Sequence, residues 1–326
     1  MSQPYDRERE LAIQAVRTAA TLCRSVRSRV APEVLAKADN SPVTVADFGS
    51  QASFGRALDQ SFPDDPLIAE EDAAELRRAE NAGLLAEVVA QVATLHPEAS
   101  AGAVCRWIDR GGAATFSERF WTLDPIDGTK GFLRNEQYAV ALALIVGGRV
   151  VVGALACPNL PPGPGAGTGP TGTIFIAVRG QGAFSIPLDG DGPEIPISVS
   201  LQDDPAAARF CESVESGHSA HGESAAVAAR LAIAAAPLRL DSQAKYGVVA
   251  RGEADAYLRL PTRADYREKI WDHAAGVLIV EEAGGTVTDI TGRPLEFTHG
   301  RDLAVNRGVV VTNGRLHERI LTALST

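Results

Sequence analysis

The stretch Ala139 to Val146, Gly147-Gly148, Arg149 to Ala156 constrains the fold more than any other. Two almost wholly apolar segments are joined by two glycines, a connection that tight hairpins favour. A strand with one wet face alternates between apolar and polar residues. These strands do not alternate, so both faces of their sheet must be covered, and helices are the usual cover. The chain has the material for this. It has 326 residues, 45% hydrophobic and 22% charged, close to globular averages, and can bury a core without covalent staples. The length suits one large or two ordinary domains. A boundary is expected near 157–172, giving units 1–157 and 158–326.

Apolar spacings of three and four predict an amphipathic helix over 6–29, a helical stretch over 73–95, and helices over 223–236 and 269–285. Gly284-Gly285 marks the stop of the last of these. Short apolar runs predict strands at Val43–Val45, Leu67–Ala69, Thr173–Val178, Ile197–Val199, Phe210–Val214, Ala256–Leu260 and Thr286–Ile290. Asp47 is expected as the N-cap of a helix reaching about Phe62.

Charge and cysteine usage narrow the function. The net charge of −10 and the pI near 5.2 argue against a nucleic-acid polymer or an anionic membrane as partner. Cys23, Cys105, Cys157 and Cys211 form no C-x-x-C pair, which suits a reducing compartment rather than a disulfide framework or a zinc site. The first residues show no apolar signal region. The longest apolar stretch, Tyr138 to Val146, is too short to span a bilayer. A cytoplasmic location is therefore expected. Oligomeric state leaves no signature.

Chemistry concentrates in Trp121-Thr-Leu-Asp-Pro-Ile-Asp-Gly-Thr-Lys-Gly-Phe132. An apolar run ends on Asp124. Pro125 blocks helix continuation, and Asp127, Gly128, Thr129, Lys130 and Gly131 follow. Two carboxylates, a hydroxyl and a cation at the end of a buried strand suit a divalent metal and a phosphate, since hard cations take carboxylates, backbone carbonyls and water. As a string alone it also reads as an Asp-Pro/Asp-Gly turn. Glu70-Glu71-Asp72, delivered by the strand at 67–69, is a second carboxylate donor or a solvated acidic loop. Asp272 opens the helix at 269–285 and is a further acid or a plain N-cap. Residues 239–269 hold seven Lys or Arg against five Asp or Glu, a reversal of the overall charge that fits an anion site.

Other signals carry less. Gly167, Gly169 and Gly172 match G-x-G-x-x-G, but no strand leads in and a strand, not a helix, follows, so no dinucleotide fingerprint is read. Residues 161–172 are a Gly/Pro loop by composition. His218 and His221 are three apart with no acidic third ligand nearby, which argues against zinc.

Four strings stand in a fixed order: Val43-Thr-Val-Ala-Asp47, Ala69-Glu-Glu-Asp72, Trp121 through Phe132, and Trp271-Asp-His-Ala-Ala-Gly276. Together they resemble the inositol monophosphatase superfamily of lithium-sensitive, magnesium-dependent phosphatases. Asp-Pro-Ile-Asp-Gly-Thr and Trp-Asp-x-Ala-x-Gly are its signature motifs. The match covers nearly the whole chain apart from the Gly/Pro loop and the termini. Gly128-Thr-Lys-Gly-Phe-Leu-Arg134 is similar to the 3′(2′),5′-bisphosphate nucleotidases within it. So are Val214-Glu-Ser-Gly-His-Ser-Ala-His221, Asp241-Ser-Gln-Ala-Lys-Tyr246 and Tyr257-Leu-Arg-Leu-Pro261.

The resemblance implies an α/β fold, with an α+β N-terminal half and an α/β C-terminal half in a layered αβαβα sandwich of the inositol monophosphatase/fructose-1,6-bisphosphatase type. It implies removal of the 3′-phosphate of adenosine 3′,5′-bisphosphate to give AMP, with 3′-phosphoadenylyl sulfate as a further substrate. Two to three Mg²⁺ ions are implied. Glu70, Asp124 and the Ile126 carbonyl would hold one. Asp124, Asp127 and Asp272 would hold a second, and Glu70 would help with a third. Asp47 and Thr129 would position and deprotonate the attacking water. His218, Ser242, Lys245 and Arg259 would hold the nucleotide and its 5′-phosphate, with Thr129 and Asp272 also at the substrate.

Physical chemistry supports the same set. Phosphoryl transfer needs in-line positioning and charge neutralisation, and two ions about 3.5–4 Å apart clamp the attacking and leaving oxygens. Arg259 suits a second phosphate by bidentate hydrogen bonds. Two alternatives stay open: an inositol (poly)phosphate 1-phosphatase or other sugar phosphatase of the same superfamily, and a non-catalytic nucleotide sensor. The presence of Asp47, Glu70, Asp124, Asp127, Thr129 and Asp272 counts against the sensor.

Overall fold

The computed structural model describes residues 3–29, 41–163, 172–214, 221–263 and 265–326. The strands form two sheets. The first has seven strands in chain order: β1 (Leu67–Ala69), β2 (Arg119–Asp127), β3 (Ala139–Val146), β4 (Arg149–Cys157), β5 (Thr173–Val178), β6 (Ala183–Pro187) and β7 (Ile195–Ile197). Only the β1–β2 pair is parallel. The second sheet takes β8 (Phe210–Glu212), β9 (Leu238–Arg239), β10 (Ala256–Arg259), β11 (Thr286–Thr288) and β12 (Val309–Thr312) in the order β11-β12-β10-β8-β9.

The Gly-Gly hairpin forms as expected. Gly147 and Gly148 have φ of 56° and 73°, the left-handed pair that a two-residue turn needs to match strand twist. The two faces of β3 differ in size. Val140, Leu142 and Leu144 face one core, and Ala139, Ala141 and Ala143 face the other. On the large-residue side lies α1 (Asp6–Arg29), paired with α2 (Ser41–Ser61). On the small-residue side lie α7 (Ala244–Ala250) and α8 (Ala274–Glu282), which also pack on the second sheet. The outer face of the second sheet carries α6 (His221–Arg230) and α9 (His317–Ser325), joined through Val227, Leu258, Leu316 and Ile320. The order is helix, sheet, helix, sheet, helix, an αβαβα sandwich. The remaining helices, α3 (Ala82–Ala93), α4 (Ala101–Asp109) and α5 (Thr129–Arg134), pack against α2.

Several expectations change, among them the helix over 223–236, which ends at Arg230, and the helix over 269–285, which opens as a 3₁₀ turn at Ile270–Asp272 and is α-helical over Ala274–Glu282. Residues 43–45 are helical, not a strand, and Asp47 lies inside α2 rather than at its cap. Pro42 is tolerated in a first helical turn, and burial of Val45 and Ala46 overrides the β-branched preference of the run. The helical stretch expected over 73–95 starts later, with a 3₁₀ turn at Ala79–Asn81 leading into α3. The expected division at 157 falls between β4 and β5, within the first sheet; the passage to the second sheet comes between Ile197 and Phe210. Among the described residues no helix is long and apolar enough to cross a membrane.

Candidate active site

The site begins with a strand defect. In β2, Asp124 pairs with Ala141, but Asp127 pairs with Ala139, so three steps on one strand match two on the other. In a regular strand residues three apart point to opposite faces. The extra residue is a β-bulge, which brings Asp127 round to the side of Asp124. Pro125 has no N–H to give to the ladder, and its carbonyl accepts the buried Ser50 hydroxyl at 3.1 Å. Gly128 follows with φ of 88°, turning the chain sharply into α5 and placing Thr129 at its first position.

A cleft of about 800 Å³ opens there, lined by Asp47, Glu70, Asp124, Asp127, Thr129 and Asp272. Ile126, Ser242, Lys245 and Arg259 line it too. His218 and residues 164–171 of the Gly/Pro loop lie outside the described residues.

The acidic wall is electrostatically unfavourable without a cation. Burial pushes Asp124 well above the usual carboxylate range, and Glu70, Asp127, Asp272 and Asp47 add to the shift. The Glu70 carboxylate opens onto the cleft, yet the protein around it pushes it up to about 7, with Glu71 and Asp127 contributing. Asp272 is likewise raised to about 7, first by burial and then by Asp127. Asp47 is raised by burial and by Glu71 and Glu70. Asp124 Oδ1 is buried with no hydrogen-bond partner. An orphaned buried oxygen among converging carboxylates fits an oxygen-seeking divalent cation.

The opposite wall is balanced internally. Arg259 Nε donates to Glu268 at 3.3 Å. Burial opposes its charge, but Tyr257, Glu268 and Asp272 more than restore it. Glu268 is kept below the usual range against its burial by His273 and Arg259. With Glu268 ionised, His273 Nε2–H donates to it at 3.2 Å, and in the neutral imidazole Nδ1 then accepts the Tyr246 hydroxyl at 2.7 Å. Glu268, Asp272 and His273 bring ligand atoms within 4.8 Å of one another, but Glu268 and His273 are spent on these bonds. Lys245 is lowered to about 8 by burial, which Asp127 partly offsets. Its ammonium donates to the Leu240 carbonyl at 3.2 Å and sits 5.0 Å from the Tyr257 ring centre.

A model of the inositol monophosphatase family matches residues 5–326. The chain belongs to the inositol monophosphatase family. A curated relative from Emericella nidulans, named 3′(2′),5′-bisphosphate nucleotidase, is 45% identical over 98% of this chain and 98% of its own. Relatives of the same name from Schizosaccharomyces pombe and Oryza sativa are each 44% identical over 98% of this chain, covering 95% and 94% of their own. Solved inositol monophosphatases from Anabaena and Zymomonas mobilis superpose with a TM-score of 0.66 at 20% and 22% identity. They cover 99% and 100% of this chain, and 97% and 100% of theirs is matched. At that identity they show the shared fold. Phosphatases of the inositol monophosphatase family are metal-dependent, and the acidic wall is suited to a metal on its own chemistry.

Several residues around this family site carry no motif signal. Gln51, one turn after Asp47 on α2, is fully buried; it donates to the Glu71 carbonyl at 2.6 Å and accepts its N–H at 3.1 Å. Arg301 donates to the Ala69 carbonyl at 2.8 Å and lies 4.6 Å from the Trp271 ring centre, so it touches the segments before Glu70 and before Asp272. Each acts between segments far apart in the chain, which is why local pattern did not reveal it. Glu268 had one readable cue, an acid just ahead of the Trp-Asp motif.

Proposed function

We propose that this chain is a Mg²⁺-dependent 3′(2′),5′-bisphosphate nucleotidase that hydrolyses adenosine 3′,5′-bisphosphate to AMP and phosphate. The observation that carries the reading is one cleft lined both by converging acids that stay raised above the usual carboxylate range and by Lys245 and Arg259. A substrate with two phosphates has a use for both walls, and the names of the relatives at 44–45% identity point to the same substrate class.

Glu70, Asp124, Asp127, Asp272 and the Ile126 carbonyl would hold two to three Mg²⁺ ions. When bound, the ions supply charge neutralisation for the reacting phosphate and for the leaving oxygen. Thr129, exposed at the start of α5, would orient the attacking water. Its hydroxyl is a feeble base alone and would pass the proton on to Asp47. The water oxygen would form a bond to phosphorus as the bond to the 3′-oxygen breaks, and that oxygen would leave with the bonding pair and take a proton from a second water in the open cleft to become the 3′-hydroxyl of AMP. Arg259, fixed by Glu268, and Lys245 would receive the non-reacting 5′-phosphate, and Ser242 the sugar side.

The test is phosphate release from adenosine 3′,5′-bisphosphate, measured beside 3′-phosphoadenylyl sulfate, inositol 1,4-bisphosphate, inositol 1-phosphate and AMP, with and without Mg²⁺. The bisphosphate nucleotide is expected to turn over fastest and AMP not at all. Activity confined to the inositol compounds would establish the sugar-phosphatase alternative. Tight nucleotide binding in saturating Mg²⁺ with no turnover would establish the sensor.

A further inference from the structure

We infer that Gln243 is a positioning residue that holds Asp272 at a set distance from Asp127, and thereby sets how tightly the acidic wall binds its metal. The inference rests on the metal-site reading above. Asp127 belongs to the first sheet, whereas Asp272 ends the 3₁₀ turn Ile270–Asp272 that leads into α8. The two acids are far apart in the chain, and the turn that carries Asp272 packs on β2 with no hydrogen bond between the two acids themselves.

Gln243 reaches both. Its backbone N–H donates to Asp127 Oδ2 at 2.5 Å. Its side-chain Nε2 donates to the carbonyl of Trp271, the residue before Asp272, at 2.8 Å. Its Oε1 accepts the Gly276 N–H at 3.3 Å, one of the first-turn donors of α8 that lack an intrahelical partner. The side chain is only 2% exposed. The residue before it, Ser242, has φ of 66°, a left-handed conformation that is costly for a non-glycine residue and persists only where its surroundings demand it. The turn at Ser242 delivers the Gln243 N–H to Asp127 while its side chain is committed to the α8 entry.

The chemistry asks for glutamine. One neutral planar group must donate to a carbonyl and accept from an N–H close by, which an Asn or Gln amide does from a single carbon; a neutral imidazole carries the same pair but on diverging sides of its ring. Asn is one methylene shorter. The bond to Asp127 comes from the backbone and is open to any residue but proline, so the side-chain variants below act on the Asp272 side.

The experiment titrates Mg²⁺ into chelator-treated full-length protein, read by calorimetry and by the shift in unfolding temperature, with no turnover needed. Gln243→Met keeps the volume and removes both side-chain bonds; Gln243→Asn keeps the amide but shortens its reach. Asn306→Ala is the comparator. Asn306 is buried, donates to Asp289 Oδ2 at 3.1 Å and to the Pro294 carbonyl at 3.0 Å, and does not line the cleft. Removing an outer partner of a metal ligand weakens metal binding about 10–100-fold. At least a tenfold weaker Mg²⁺ constant is expected for Gln243→Met, with KM for the nucleotide at saturating Mg²⁺ unchanged. Asn306→Ala should lower the unfolding temperature and leave the Mg²⁺ constant alone. If Gln243→Met does not fold, Gln243→Asn is held to the same criterion. Wild-type Mg²⁺ affinity retained in the Gln243 variants, or an equal loss in Asn306→Ala, overturns the inference. Failure of the wild-type protein to bind Mg²⁺ overturns the metal-site reading instead, and the inference with it.

Discussion

The two walls of the cleft handle charge in opposite ways. On the acidic wall, Asp47, Glu70, Asp124 and Asp272 are each pushed upward by burial and by neighbouring carboxylates, and Asp124 keeps an unpartnered oxygen. On the basic wall, Arg259, Glu268, His273 and Tyr246 form a continuous hydrogen-bonded chain with its charges matched. The first wall is strained until something positive arrives. The second is at rest before any ligand does. A pocket built this way holds its anion-binding side rigid and leaves its cation-binding side with the stronger drive to bind.

The largest test of this contrast is Asp124→Asn. Removing the central carboxylate should cut phosphate release by more than about a hundredfold, beyond what loss of an outer partner costs. It should also raise the unfolding temperature of chelated protein at pH 8, because repulsion on that wall is relieved. A lower unfolding temperature would mean the acidic wall is not strained.

Glu268→Gln probes the resting wall. Losing one charge-assisted partner of Arg259 is worth about 1.5–3 kcal/mol, or roughly tenfold or more in binding. The main change should fall on KM for the bisphosphate and a smaller one on the Mg²⁺ constant. The reverse ranking would place Glu268 on the metal side.

The smallest effect is a pH dependence. Glu70 and Asp272 are raised to about 7 in the folded protein, above their ordinary values of 4.5 and 3.8. The native state therefore binds more protons than the unfolded state between those values and 7, so stability falls as pH rises through this window. The contribution is complete at low pH and gone above about 7. Lys245, lowered to about 8, acts in the opposite sense and only above that value. Mg²⁺ requires the ionised carboxylates, so its stabilising shift in unfolding temperature should be larger at pH 8 than at pH 6. Equal shifts would show that these groups do not compete with the cation.

The fold was legible where apolar pattern was long and uniform. Ala139 to Ala156 demanded a covered sheet, and the hairpin lies at the centre of the sandwich. It was misread where a short β-branched run met a packing surface: Val43, Thr44 and Val45 fit a strand locally but form the start of α2 against α1. The acids of the cleft were legible because each stands in a compact string at the end of an apolar run. The residues that join those strings were not. Gln51, Gln243 and Arg301 look like ordinary polar residues, and their importance lies in partners 20 to more than 200 positions away.

The extra residue in β2 has a consequence for how this region can vary. Asp124 and Asp127 share a side only because two residues, not one, stand between Asp124 and the return to register. Pro125 and Ile126 are thus a spacer whose count matters as much as its chemistry. Exchange of either side chain alters packing, but deletion of one residue would turn the second acid into the layer of helices beneath the sheet. Drift at this point is open to substitution and closed to changes of length.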